Sequence, residues 1–203
     1  MPCAIDDAVG RSELVVFDLD NTLIDEEAWL AAAYEAVSKV AAPDDAHAAT
    51  VIARSFLTGF QTHGRTGLFE RIRSEFPGLA GDTSTWLAAM RTAEVNGGLT
   101  IAPWAQSLCQ SFSDKPMAIL TNGNVIQQQN KYRQLVPSWA RTRFRLYCLK
   151  PGDEQKPSPR GLFAILSDFN CKPEQALFLG DTTTDRECAD AAGVPFLLAP
   201  PVV

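Results

Sequence analysis

The sequence has 203 residues, room for one domain or one with a small satellite at roughly 150 residues per domain. Hydrophobic residues at 46% and charged residues at 21% describe an ordinary globule and exclude disordered, collagen-like and low-complexity chains. Eighteen basic against 24 acidic residues leave a net charge of −6, which lacks the positive field that nucleic acid demands of a partner.

In chain order, the N-terminal MPCAIDDAVG carries two acids and no apolar segment, so it does not read as a secretory signal. Leu14-Val15-Val16-Phe17 is a short apolar run that reads as a buried strand and breaks into Asp18-Leu19-Asp20-Asn21-Thr22. Helical patterns follow over 26–40, 44–60 and 68–76, and from Asp82 or Thr83 to about Val95, where Asn96-Gly97-Gly98 stops them. Asp25 is a plausible cap for the first of these. Met117–Leu120 is a second strand ending in Thr121-Asn122-Gly123-Asn124, and Ala176–Leu179 a third ending in Gly180-Asp181-Thr182-Thr183. Weaker strands are read at 144–148 and 194–198, with helices over 103–112, 124–135, 159–169 and 184–192.

Strands alternating with helices imply an α/β fold on a Rossmann-like parallel sheet. The interval between the first two strands is far longer than a crossover needs. Its strand-free helices predict a helical insert over 24–100, leaving 1–23 and 101–203 as the core. No apolar run approaches the ~20 residues that span a bilayer, so no membrane partner and a cytoplasmic location are expected. The five cysteines are spaced for neither a disulfide framework nor a zinc knuckle, and are read as reduced, mostly buried thiols. Two histidines, His47 and His63, nearly exclude a histidine-built metal site or a Ser-His-Asp triad.

The chemistry concentrates at the carboxyl ends of the strands, where open parallel sheets bind ligands. Asp18 and Asp20 lie at one such end, Asp181 and Asp185 at another. Isolated, each pair reads as well as turn formers or helix caps. Together they put four carboxylates in one crevice, and hard oxygen donors without histidine select Mg²⁺. Thr22 adds a hydroxyl, and the Thr121–Asn124 turn opens a helix, a position that binds anions. Lys156, stiffened by Pro157 and Pro159, reads as a solvated loop lysine or as the partner of a nucleophile and a phosphoryl oxygen.

Phe17-Asp18-Leu19-Asp20-Asn21-Thr22-Leu23, Leu120-Thr121-Asn122-Gly123, Lys156-Pro157 and Gly180-Asp181-Thr182-Thr183-Thr184-Asp185 resemble, in order, the four motifs of the haloacid dehalogenase superfamily of hydrolases. The long insert resembles that superfamily's helical C1 cap. The resemblance implies that Asp18 is a nucleophile forming an aspartyl-phosphate, and Asp20 the general acid and then base. It implies Mg²⁺ held by Asp18, the Asp20 backbone carbonyl and Asp181, with Asp185 as a further ligand or as a group that orients the ligands from behind. Thr121 and Lys156 would hold the phosphoryl group, with Asn122 and Gly123 orienting it. Asn21 stands where the family more often has glycine, and asparagine tolerates positive φ.

Within the insert, Gln61–Gly67 is the candidate specificity loop, with Arg65 facing a substrate anion as one reading and a solvated turn as the other. Trp29, Tyr34 and Phe60 are read as packing. The basic stretch with Lys131, Arg133, Arg141, Arg143, Arg145 and Lys150 reads as a solvated helix face and strand edge, an anion-binding rim or a subunit contact being the alternatives. The resulting expectation is a Mg²⁺-dependent phosphatase of a small phosphorylated metabolite, monomeric or homodimeric. A phosphomutase, a 2-haloacid dehalogenase and a non-catalytic interaction module are the rivals. Asp20 speaks against the dehalogenase, which needs no second acid.

Overall fold

The computed structural model describes residues 2–150, 152 and 154–202, with side chains from residue 4 onward. In order, its elements are α1 (Pro2–Arg11), β1 (Leu14–Phe17), α2 (Glu26–Ala41), α3 (Ala46–His63), α4 (Leu68–Glu75), α5 (Thr83–Arg91) and β2 (Leu99–Thr100). Then come α6 (Pro103–Ser111), β3 (Met117–Asn122), α7 (Val125–Arg133), β4 (Leu135–Val136), α8 (Ala140–Arg143) and β5 (Phe144–Leu149). The chain closes with α9 (Arg160–Asp168), a 3₁₀ turn (Pro173–Gln175), β6 (Ala176–Gly180), α10 (Thr183–Ala192) and β7 (Phe196–Leu198). It forms two compact units, residues 1–26 with 98–203, and residues 27–97.

The first unit is built on a five-stranded sheet in the order β5-β3-β1-β6-β7, every pair parallel. The continuous apolar runs have the cause expected of a parallel sheet, burial on both faces. All four residues of β1 and all five of β6 are buried. On one face Leu14, Val16, Leu120 and Phe178 pack with Leu162 and Ile165 of α9 and Cys188 and Ala189 of α10. Phe17 belongs to the other face and meets Phe144 edge-on at 5.5 Å and Trp104 of α6 at 6.3 Å. β1 lies between β3 and β6, so the ends of these three strands adjoin. The polar clusters after Phe17, Leu120 and Gly180 are therefore neighbours in space.

Helices α1 and α8 and the strands β2 and β4 of this unit escape the sequence reading. Pro2–Arg11 form helix α1, at whose end the Lys115 ammonium donates to the carbonyls of Gly10 and Ser12. Strands β2 and β4 form a two-residue parallel pair, Leu99 with Leu135 and Thr100 with Val136. They are too short to carry a periodic signal.

The second unit consists of α2 beyond Glu26, α3, α4 and α5, with no strand among its described residues. Its core is aromatic. Tyr34 stacks on Phe56 at 5.1 Å, while Phe69 and Trp86 contact Phe56 and each other edge-on. Trp29, Tyr34, Phe56 and Trp86 are buried, so Trp29 and Tyr34 are packing residues. α3 starts at Ala46 rather than Asp44, capped by Asp45, which accepts from the Ala48 N–H, and Asp82 caps α5, accepting from Thr85. α5 ends at Arg91, short of the expected Val95, where the Thr92 N–H closes the last turn onto the Ala88 and Met90 carbonyls.

Cys109 and Cys188 are buried, Cys148 and Cys171 half-buried, and all four are free thiols. The Cys3 side chain lies outside the described residues. Among the described residues, no helix is long and apolar enough to cross a membrane.

Candidate active site

Asp18 follows β1 directly, its N–H anchored to the Leu179 carbonyl of β6 at 2.9 Å. Its carboxylate is buried and meets the Lys156 ammonium at 2.5 Å. The same ammonium pairs with Asp185 at 2.6 Å and donates to the Leu120 carbonyl at 3.0 Å. Lys156 thus binds the ends of three strands together and is not a solvated loop lysine.

Its position is fixed by Asn122. The side-chain amide of Asn122 donates to the Lys156 carbonyl at 3.0 Å and accepts from the Lys156 N–H at 2.9 Å. Both ends of the amide are therefore engaged by the lysine's backbone. Gly123 gives its N–H to the Leu149 carbonyl, and the Ile126 and Gln127 N–H groups are capped by Asn124. These three donors at the helix start face protein acceptors. Gly123 has φ 133°, and a Cβ there would press on Gln128 at 3.2 Å, so the turn favours glycine.

Asp185 sits in the first turn of α10. Its carboxylate accepts from the Thr182 N–H and hydroxyl while its own N–H returns to Thr182, a capping box. A Cβ on Gly180 would lie 2.7 Å from the Asp185 side chain, so the strand end has to be glycine for Asp185 to reach Lys156. Asp181, half-buried, accepts from the Thr22 hydroxyl at 3.3 Å. Thr22 is wholly buried, and its hydroxyl serves Asp181. Asn21 adopts φ 59°, the left-handed turn that asparagine tolerates, and its side chain accepts from the Glu26 N–H.

Carboxylate oxygens of Asp18, Asp181 and Asp185 all lie within 4.8 Å of one another. The Asp20 carboxylate is not one of this group. It pairs with Lys131 at 2.6 Å and accepts from the Gln128 amide at 3.0 Å. Arg65 belongs to the other unit and is exposed, its guanidinium 5.6 Å from the centre of the Phe60 ring. α3 runs on to His63, so the loop that bears Arg65 shortens to Gly64–Gly67, and Arg71 braces it by donating to the Gly64 and Thr66 carbonyls.

Residues 13–193 match the model of the family described as haloacid dehalogenase-like hydrolases. The chain belongs to that family. Among solved structures it is similar to a subfamily IA, variant 1 haloacid dehalogenase-superfamily hydrolase from Geobacter sulfurreducens, at 18% identity and TM-score 0.65, with 94% of this chain and 89% of that one covered. It is also similar to CbbY from Rhodobacter sphaeroides in complex with a xylulose bisphosphate, at 20% identity, TM-score 0.59 and 93% and 86% coverage. A third likeness is to a protein assigned as a phosphoglycolate phosphatase from Lactobacillus plantarum, at 22% identity, TM-score 0.56 and 93% and 86% coverage. At these identities the likeness is one of fold. No curated protein matches the sequence significantly.

In this haloacid dehalogenase-like hydrolase, burial is the largest influence on Asp18. It lifts the carboxyl from 3.8 to about 7, against the lowering effect of Lys156 and with further lifting by Asp185 and Asp20. Burial likewise raises Asp181, with Asp185 adding to it. For Lys156 burial acts downward, but the charges of Asp18 and Asp185 outweigh it and the ammonium is held above its ordinary value. Asp18, Asp20, Glu26, Asp181 and Asp185 thus meet two ammonium groups, and the crevice carries excess negative charge.

Lys131 and Gln128 are the site neighbours that the sequence reading misses, having left Lys131 on a solvated face. Lys131 is wholly buried and Gln128 nearly so. A signal was present: α7 reads VIQQQNKYR, too polar for a helix covering a sheet, and its buried residues are Gln127, Gln128, Asn130 and Lys131.

Proposed function

We propose that this hydrolase is a Mg²⁺-dependent phosphatase acting on a small phosphorylated metabolite through an aspartyl-phosphate on Asp18. The observation that carries the reading is the convergence of Asp18, Asp181 and Asp185 within 4.8 Å beside the Lys156 ammonium. The donor set fits the ion: three carboxylates, hard oxygens from two strand ends, in a crevice whose negative charge exceeds its positive. Asp18, Asp181 and Asp185 would hold Mg²⁺ together with the Asp20 backbone carbonyl. When bound, the ion offsets the repulsion between carboxylate and phosphate and favours the ionised form of Asp18.

The chain's own groups supply the rest. Asp18 attacks phosphorus, forming the Oδ–P bond as the ester P–O bond breaks. Asp20 gives a proton to the departing alkoxide, then takes one from the water that cleaves the phospho-enzyme. Lys156, kept cationic by its two aspartates, and the Thr121 hydroxyl bind the phosphoryl oxygens. Asn122 acts through Lys156, and Thr22 through Asp181. Phosphoryl transfer is chiefly positioning and charge neutralisation, which this inventory provides. Residues 24–100 are the cap in this reading, and Arg65 is its candidate for contacting the leaving group.

Asp18→Asn should abolish hydrolysis of an aryl phosphate while melting behaviour stays that of a folded protein. EDTA should stop the parent enzyme and Mg²⁺ restore it. Full activity in the Asp18→Asn variant would remove the nucleophile, and turnover indifferent to chelation would remove the metal.

A further inference from the structure

The four motifs leave unexplained why a helix next to the catalytic strands buries a cation and an amide. Lys131 is 0% exposed, with its ammonium 2.6 Å from Asp20 Oδ1 and 3.7 Å from the Glu26 carboxylate. Gln128, one turn earlier on α7, places its Nε2 3.0 Å from Asp20 Oδ2, 2.9 Å from Thr121 Oγ1 and 2.8 Å from the Asn122 carbonyl. Among the described residues, its Oε1 is buried without a hydrogen-bond partner. A buried lysine and an amide with an orphaned acceptor are poor choices for stability, since each burial carries a desolvation penalty. Leucine or methionine would cover the sheet better.

Resting on the phosphatase reading, we propose that Lys131 and Gln128 are positioning residues that clamp the general acid Asp20 and couple it to Thr121. Each carboxylate oxygen has two lone-pair directions, and the clamp takes one on each. The other direction at each oxygen is left for the reacting proton. With both oxygens held, the carboxyl cannot rotate about its terminal bond, so that proton meets the ester oxygen in one orientation. Gln128 bonds Asp20 and Thr121 with one amide nitrogen, which fixes the proton donor relative to a ligand of the phosphoryl group. Neither α7 residue touches the substrate in this account.

The test is leaving-group dependence of kcat/KM, which reports formation of the phospho-enzyme. Phenyl phosphate needs its leaving oxygen protonated; dinitrophenyl phosphate does not. Lys131→Met and Gln128→Leu should lower kcat/KM for phenyl phosphate by about 10²-fold, within the span that general acids supply, and lower that for dinitrophenyl phosphate far less. Lys131→Arg should restore part of the loss. In an Asp20→Asn background, Lys131→Met should have no further effect on the ratio of the two esters. Gln128→Leu should melt no lower than the parent, and it carries the test if Lys131→Met does not fold. Equal losses on both esters, or none, would overturn the clamp while leaving the phosphatase intact. A parent enzyme inert to both esters would overturn the phosphatase reading and the clamp with it.

Discussion

In the proposed reaction Asp18 has to be ionised to attack phosphorus, yet the place it occupies disfavours its charge. Its folded value of about 7 lies above the unfolded 3.8. Between those values the folded protein keeps a proton that the unfolded chain has released. With divalent cations chelated, stability should therefore fall as pH rises through that window, by a few kcal/mol at most at about 1.4 kcal/mol per pH unit, and level off above it. Raised Asp181 acts in the same direction, while Lys156 stays protonated throughout the window and adds no slope. Thermal melts in EDTA from pH 4.5 to 8 should show this decline. Mg²⁺ should reverse it at the alkaline end, and Asp18→Asn should flatten it. A melting temperature that rises over the same range would contradict the assignment. Gly180 is the second residue on which the site turns. Gly180→Ala puts a methyl 2.7 Å from Asp185, which is held by Lys156 and Thr182 and cannot give way. The expected loss is ~1–3 kcal/mol in denaturant unfolding, with weakened Mg²⁺ affinity by calorimetry.

Elements of this protein divide by what they bury. α9 buries apolar residues against the sheet and could be exchanged for another amphipathic helix, whereas α10 does the same with Cys188 and Ala189 but also carries Asp185 in its first turn. α7 buries Gln127, Gln128, Asn130 and Lys131 and is part of the site. Between Ala46 and Trp86 the aromatic side chains do the packing. Phe56, Phe69 and Trp86 form a closed set of edge-on contacts, with Tyr34 stacked on Phe56, and the Trp86 indole donates to the Ala80 carbonyl at 2.9 Å. Trp86→Ala removes the largest member of that set from a place with no exposure. It should destabilise the helical unit by about 3–5 kcal/mol, read by near-UV circular dichroism and urea unfolding. Metal binding by the other unit's carboxylates gives the control, since none of them lies in residues 27–97.

For the molecule as a whole, the sheet and the motif order were legible because both are carried by strong local signals. Leu14–Phe17, Met117–Leu120 and Ala176–Leu179 are apolar runs that stop at acids or small polar residues, and the three ends adjoin as a parallel sheet demands. For Lys131 the polarity of α7 was the one signal, but a lysine on a helix is ordinarily solvated, and its partners Asp20 and Glu26 are brought to it by tertiary structure. Thr22 and Asn122 were legible as members of the site, but the protein groups that their side chains engage were not. Substrate choice is not read from the core motifs, and Arg65 is the residue proposed for it. Arg65 is exposed on a loop that Arg71 braces, with a planar guanidinium suited to a carboxylate or second phosphate. If it meets the leaving group, Arg65→Ala loses a charge-assisted contact of about 1.5–3 kcal/mol, or roughly 10–150-fold in kcat/KM. The loss should fall on substrates bearing a second anionic group. For singly charged aryl esters the change should be smaller, so a panel of phosphorylated metabolites compared between parent and variant reads the difference directly. Uniform losses across the panel would assign Arg65 to the turn it sits in and leave specificity to other residues of the helical unit.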